Sequence, residues 1–433
     1  MRPIHTITNA RLRHTEGLSD ILIDSGMIRE IRPCTGAPRA SQSDARANPA
    51  DTGDTFDAGG NLVTPAFVDP HLHLDLAYSL DLVPPNESGT LVEAIRHWAQ
   101  AKRAITAEDV TRRAIRAIHA EVGFGTGFIR THVDVATSAG LRLAEGVLAA
   151  REATKHLCSI EIVVFPQDGI LKDPGAFEQM RKAMRMGCDT IGGIAHNERT
   201  AADSRRHCEM LFELASEFNA PIDCHIDETD APESRCVEEL AAITLANPPF
   251  AGRVTASHVC SLASYSDVHA GRVISMLAQA RVHVVCNPQV NLHLQGRFDR
   301  YPKRRGLTRV SELRAAGVTV AAGQDCINDP FYPLGTGQML DVAHTLVHAD
   351  HLSRPQDLEY AFDCITTNAA HALRLGHNAD GGESGTAPYG TEPGCGANLV
   401  ILPVDRASEA IRLRPRPLAT IHNGRLIEPA DLG

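Results

Sequence analysis

The stretch Leu62-Val63-Thr64-Pro65-Ala66-Phe67-Val68-Asp69-Pro70-His71-Leu72-His73-Leu74-Asp75 decides how the rest of the chain is read. Its apolar first half, Leu62 to Val68, reads as a short buried strand, which puts the two histidines at the strand's carboxyl end. Residues two apart in an extended chain point to the same side, so His71 and His73 reach one point while Leu72 faces away. Two imidazoles so placed suit a metal ion. In a chain with 21 histidines such a pair also arises by chance, so the reading depends on finding further ligands.

Seven more apolar runs follow the first. With it they occupy 62–69, 128–135, 158–165, 190–195, 221–226, 253–258, 282–287 and 317–322. The text between them, such as Ala107 to Val122 and Ser204 to Phe218, carries apolar residues at three- and four-residue spacing, as amphipathic helices do. Strand alternating with helix eight times predicts an α/β fold, a (β/α)8 TIM-type barrel over 62–384. Both chain ends read differently. Ile4, Ile7, Ile21, Ile23, Ile28 and Ile31 alternate with polar residues around a Ser25-Gly26 turn, and Ala397–Leu402 and Ala419–Ile427 are strand-like with an Asn423-Gly424 turn. Residues 1–61 and 385–433 are therefore expected to share a small β-sandwich, with an exposed loop over 36–56 and a Gly-rich linker from Gly376 to Gly396.

The 433 residues suit one large barrel with an accessory domain. Basic residues number 42 against 53 acidic, a formal charge of −11, which disfavours a nucleic-acid polymer or an anionic membrane as partner and favours a small molecule. No signal pattern opens the chain and no apolar run reaches transmembrane length. The 11 cysteines are scattered without a CxxC pair, so reduced thiols in the cytoplasm are expected.

In a barrel, chemistry sits at the carboxyl ends of the strands, so the residues closing each run should meet. Run one closes in His71 and His73, run three in Phe165-Pro166-Gln167, run five in His225-Ile226-Asp227-Glu228, run six in Ser257-His258 and run eight in Gly323-Gln324-Asp325. Two histidines, a third histidine and an aspartate form a donor set that suits one Zn²⁺ or Fe²⁺ with a position left for water. Glu228, three residues past His225, can face a substrate and move a proton from water to a ring nitrogen. His258 can orient the attacking water or stabilise an oxyanion, and Asp325 can serve as ligand or second proton acceptor. Gln167 offers one acceptor and two donors, enough to read a ring carbonyl and the adjacent N–H. His132 and Asp134 alternate on the second run and carry no assigned role.

These residues resemble the amidohydrolase superfamily and, within it, the bacterial cytosine deaminases. The matching text is Pro70–Asp75, Ser88–Leu91, Arg130–Val135, Phe165–Gln167, His225–Glu228, Val254–His258 and Asn287 to Gly306. The resemblance implies His71, His73, His225 and Asp325 as metal ligands, Glu228 as proton shuttle, His258 as an essential histidine, and Gln167 with the main chain of Leu91 as pyrimidine readers. It also implies self-association into a homo-oligomer. Two-metal members carry a carbamylated lysine at the end of strand four; here that strand closes in Ile194-Ala195-His196-Asn197 and the chain has only five lysines, so one metal ion is expected. The Gln295–Arg305 segment, despite Arg297, Lys303, Arg304 and Arg305, is expected to be a loop or subunit contact rather than a phosphate site.

The chain departs from the family at two points. Cys326 stands where cytosine deaminases have a second aspartate, and Phe331 where they have a tryptophan. A buried carboxylate facing a ring methyl loses hydrogen bonds at a cost of about 1–3 kcal/mol, and a thiol avoids that cost. The expected reaction is metal-dependent hydrolytic deamination of a free pyrimidine, 5-methylcytosine as well as cytosine. Deamination of isoguanine, isocytosine, creatinine or an N-substituted triazine is the alternative, and a non-catalytic nucleobase-binding protein a further one.

Overall fold

A computed structural model describes residues 1–34, 54–376 and 387–432. The loop expected over 36–56, the linker over Gly376–Gly396 and the boundary at 384/385 lie wholly or in part outside the described residues. Eight parallel strands form the barrel: β1 (Phe67–Leu72), β2 (Thr126–Asp134), β3 (Ser159–Phe165), β4 (Thr190–Ile194), β5 (Ile222–Ile226), β6 (Val254–His258), β7 (His283–Cys286) and β8 (Val320–Ala322). Each pairs with the next in sequence. The ring closes through a single parallel bridge between Leu72 and Asp325, where the Asp325 amide donates to the His71 carbonyl (2.7 Å) and the His73 amide donates to the Asp325 carbonyl (3.0 Å).

Several of the helices between strands begin on hydroxyl caps. Thr106 accepts from the Asp109 amide at the start of Ala107–Gly123, Thr200 from Asp203 at Ala201–Phe218, and Ser266 from His269 at Asp267–Ala280. Each cap satisfies a donor that the helix leaves open, worth about 1 kcal/mol. No helix among the described residues is long and apolar enough to cross a membrane.

The run at 62–69, expected as one barrel strand, is two. Leu62–Pro65 pairs antiparallel with Leu399–Leu402, and only after Ala66 does the chain enter β1. Both chain ends join this strand in one nine-stranded sheet, ordered Arg2–Pro3, Arg425–Ile427, Ala419–His422, Leu399–Leu402, Leu62–Pro65, Thr6–Leu12, Ser19–Asp24 and Met27–Pro33, with Thr55–Asp57 beside Thr6–Leu12. The sheet carries its own core of Ile4, Ile7, Ile21, Ile28, Val63, Leu399, Ile401 and Ile421. Alternation seats it on the barrel: Leu62, Val400 and Leu402 face the barrel core while Val63, Leu399 and Ile401 face the accessory core.

Candidate metal centre and active site

Strands β1, β5, β6 and β8 deliver the histidines and carboxylates to one place. His73 Nε2 lies 3.2 Å from His225 Nε2. Asp325 Oδ1 lies 3.5 Å from both His71 Nε2 and His73 Nε2. His258 Nδ1 sits 3.5 Å from Glu228 Oε1 and 3.9 Å from Asp325 Oδ2. Donor atoms of His71, His73 and Asp325 fall within 4.8 Å of one another, as do those of His71, His225 and His258. All are buried.

Several ring nitrogens of the cluster have no hydrogen-bond partner, among them Nδ1 of His73 and of His225. Neither ring nitrogen of His71 has a hydrogen-bond partner, nor does Asp325 Oδ2. Burial holds His71, His225 and His258 well below the ordinary imidazole range and His73 down at about 3, so all four present neutral rings. Burial raises Glu228 to about 8, and burial together with the neighbouring Glu228 pushes Asp325 well above the usual carboxylate range. Neutral imidazoles beside carboxyl oxygens make a donor set of the chemistry that a divalent ion would take.

The ligand rings are held from outside. Phe165, closing β3, stacks on His225 at 4.7 Å and 14°. The Asn291 amide nitrogen lies 3.0 Å from His258 Nδ1, with that of Asn287 at 3.4 Å. Sequence reasoning missed both asparagines, although Asn287 closes β7 and Asn291 follows one helical turn later. The backbone at the site is strained: Asp227, His258, Val259, Asp325 and Asn328 all have positive φ, between 50° and 72°. Left-handed conformations away from glycine persist only where the surroundings enforce them, and here they turn side chains at the strand ends into the barrel mouth.

A narrow inner chamber covers this cluster. Its walls are His73, His225, Glu228, His258 and Asp325 with Leu91, Gln167, Cys326 and Phe331, so the pocket residues expected from sequence share one cavity, and His71 lies fully buried at its floor. Leu91 starts the helix Leu91–Ala101, capped by Thr90. The Gln167 carbonyl accepts from the Asn197 amide at 3.0 Å. Asp329 shapes the Cys326–Phe331 turn, its Oδ1 accepting from the amides of Phe331 (2.9 Å) and Tyr332 (3.0 Å). The Cys326 thiol sits 3.7 Å from Asp325 Oδ1, and burial keeps it protonated. Outward, the chamber shares Leu91, Ile194, Glu228 and Leu294 with an open cavity of about 820 Å³, rimmed by Arg297 and Phe298 of the 295–305 loop. That loop is held by an internal pair, Arg304 to Asp299 at 2.7 Å, and by Arg305 donating to the His348 carbonyl of a neighbouring helix at 2.7 Å.

The two residues left without a role have different surroundings. His132 lies against His71 with ring centroids 4.0 Å apart and planes tilted by 32°; its Nε2 is 3.8 Å from Asp223 Oδ1, in a buried network where Arg130 pairs with Glu161 (3.0 Å) and Asp223 (2.9 Å). Asp134 accepts from Lys102. One lysine reaches the end of β4: Lys172 arrives from the loop after β3 and donates to the Asn197 carbonyl at 2.7 Å.

A model described as the amidohydrolase family matches residues 54–427. The chain belongs to the amidohydrolase family. Among amidohydrolase relatives, it is 30% identical over 434 residues to a pterin deaminase of Rhizobium rhizogenes, spanning 98% of this chain and 92% of that one. It is also 30% identical over 385 residues to an N-isopropylammelide isopropyl amidohydrolase of Pseudomonas sp. strain ADP, spanning 86% and 88%. A solved 5-methylcytosine deaminase from Klebsiella pneumoniae, liganded with 5-fluorocytosine, superposes with a TM-score of 0.89 at 38% identity over 98% of this chain and 97% of that one. This amidohydrolase is a hydrolase acting on C–N bonds, of a superfamily that depends on metal ions.

Proposed function

We propose that this amidohydrolase deaminates a free cytosine-type base, taking 5-methylcytosine to thymine as well as cytosine to uracil. The observation that carries the reading is Cys326: a protonated thiol, 2% exposed, on the chamber wall beside Asp325, where a cytosine deaminase is expected to have a carboxylate. A thiol leaves room for a 5-methyl group without stranding a charge against it. The 38% identity to a 5-methylcytosine deaminase supports the same choice.

His71, His73, His225 and Asp325 would hold one divalent ion, Zn²⁺ or Fe²⁺. When bound, the ion supplies Lewis acidity that makes water a competent nucleophile at neutral pH. Gln167 and the Leu91 main chain orient the ring by its carbonyl and N–H edge. Glu228 takes a proton from the attacking water and delivers it to the ring nitrogen next to the reacting carbon; Asp325 takes the second proton from the added hydroxyl and passes it to the amino group, which leaves as ammonia as the ring carbonyl forms. His258, beside Glu228 and Asp325, steadies the oxygen as it adds.

The outer cavity of about 820 Å³ favours a second reading, a larger ring such as a pterin. Ammonia release from 5-methylcytosine, cytosine, pterin and N-isopropylammelide by the purified enzyme separates the two. Turnover of the pyrimidines is expected. Turnover of pterin with none of either pyrimidine refutes the first reading.

A further inference from the structure

Lys102 is the first residue after the helix Leu91–Ala101, and its side chain is fully buried, whereas the other four lysines are exposed. A buried ammonium persists only where carboxylates meet it. Here two do. Nζ donates to Asp134 Oδ2 at the end of β2 (2.7 Å) and to Asp168 Oδ2 (2.8 Å). Asp168 directly follows Gln167, and Leu91 begins the helix that Lys102 ends, so one cation joins the two segments that face the ring.

The frame behind the ammonium is rigid. Asp134 Oδ1 accepts from the Ala136 amide (2.8 Å), and the Asp134 amide donates to Asp75 Oδ2 (3.0 Å). Trp98, one turn before Lys102, is fully buried. Asp168 is 29% exposed and, apart from Lys102, accepts from the Ser138 hydroxyl at 3.3 Å, so it is the less tightly held partner. Without the ammonium, Asp134 and Asp168 are two carboxylates sharing one gap, and repulsion drives Asp168 outward with the Gln167 turn attached.

We propose that Lys102, acting through Asp168, is a positioning residue that sets Gln167 against the substrate ring. This rests on the reading of Gln167 given above. Glu228 lies just past β5 and His258 closes β6, and neither touches the ion pair, so the chemical step keeps its geometry while ring binding weakens. Contacts to a non-reacting edge are made equally in ground and transition states, and their loss appears in KM.

The test is a cycle of Lys102→Met, Gln167→Ala and the double variant, with 5-methylcytosine as substrate and metal content measured throughout. Lys102→Met is expected to raise KM about tenfold with kcat within about threefold, the signature of lost uniform binding. The double variant is expected to match Gln167→Ala alone, since the lysine has nothing left to position. Asp168→Asn, which keeps the buried Lys102–Asp134 pair, runs the same cycle if Lys102→Met does not fold. Effects on KM that multiply in the double variant overturn the proposal while leaving Gln167 as ring reader. A lower Tm with unchanged KM assigns the pair to stability alone and overturns it too. If Gln167→Ala leaves KM unchanged, the reading of Gln167 fails and the proposal with it.

Discussion

Cys326→Asp should turn the enzyme away from the methylated base. Cys326 is 2% exposed, with its sulfur 3.7 Å from Asp325 Oδ1, so an aspartate there stays inside the chamber. Facing a 5-methyl group, the new carboxylate loses hydrogen bonds to water that cytosine binding would leave it, at about 1–3 kcal/mol. At 1.4 kcal/mol per tenfold, the ratio of kcat/KM for 5-methylcytosine to that for cytosine should fall by roughly 5- to 150-fold. The variant also adds a carboxyl among Asp325, Asp329 and Glu228, each already pushed up by burial, so some stability and metal affinity are lost as well. The ratio is the right readout because a smaller folded or metal-loaded fraction scales both substrates alike. Steady-state kinetics on the two bases, for both proteins, supply it. A ratio that stays put, or moves toward the methylated base, refutes the pocket argument.

Glu228→Gln keeps shape and loses the proton carrier, so kcat should fall by about 10²- to 10⁴-fold with metal content intact; undiminished turnover sinks the shuttle role. Stripping the protein with a chelator should lower Tm, since an ion at a thousandfold excess over its Kd contributes about 4 kcal/mol, and one equivalent of Zn²⁺ or Fe²⁺ per chain should restore Tm and activity together. A metal-free protein with undiminished Tm and turnover would refute the donor set. Burial raises Asp329 from 3.8 to about 6, so the folded protein holds that proton more tightly than the unfolded chain, and the stability so gained is complete below about pH 4 and lost as pH rises through about 6. Asp329→Asn keeps the acceptor for the Phe331 and Tyr332 amides without the charge, so its stability relative to the parent should climb by up to about 3 kcal/mol between pH 4 and 7, and a pH-independent Tm difference would contradict this.

Strand positions and the histidines and carboxyls that close them were legible because both follow local rules, whereas Leu91, Cys326 and Phe331 were named only by the family resemblance. An apolar run between helices is a barrel strand, and its closing residues face the mouth. The misread run shows where such rules stop. Leu62–Pro65 is buried on both faces, Leu62 by the barrel and Val63 by the accessory core, so it lacks the alternation that would have told the two sheets apart. Polar partners distant in sequence leave no periodic trace at all. Asn291 on His258, Lys102 on Asp134 and Asp168, and Lys172 on Asn197 are set by how the loops pack over the strand ends.

The bridge that closes the barrel is also the scaffold of the candidate metal centre. Asp325 donates to the His71 carbonyl and accepts from the His73 amide, the bonds that join β8 to β1, and Asp69 Oδ1 reinforces the seam by accepting from the amides of His71 (3.2 Å) and Gln324 (3.1 Å). Asp325 pays for its place with a φ of 69°, a conformation costing of order 1–3 kcal/mol that the seam must supply. A ring of parallel strands held shut at one bridge depends on whatever else pulls its first and last strands together, and a cation shared by His71, His73 and Asp325 would do that from the inside. With such an ion bound, metal occupancy and barrel closure would be one equilibrium: an ion that binds only the closed ring would stabilise it, and any change that opens the seam would weaken the ion's hold to the same degree.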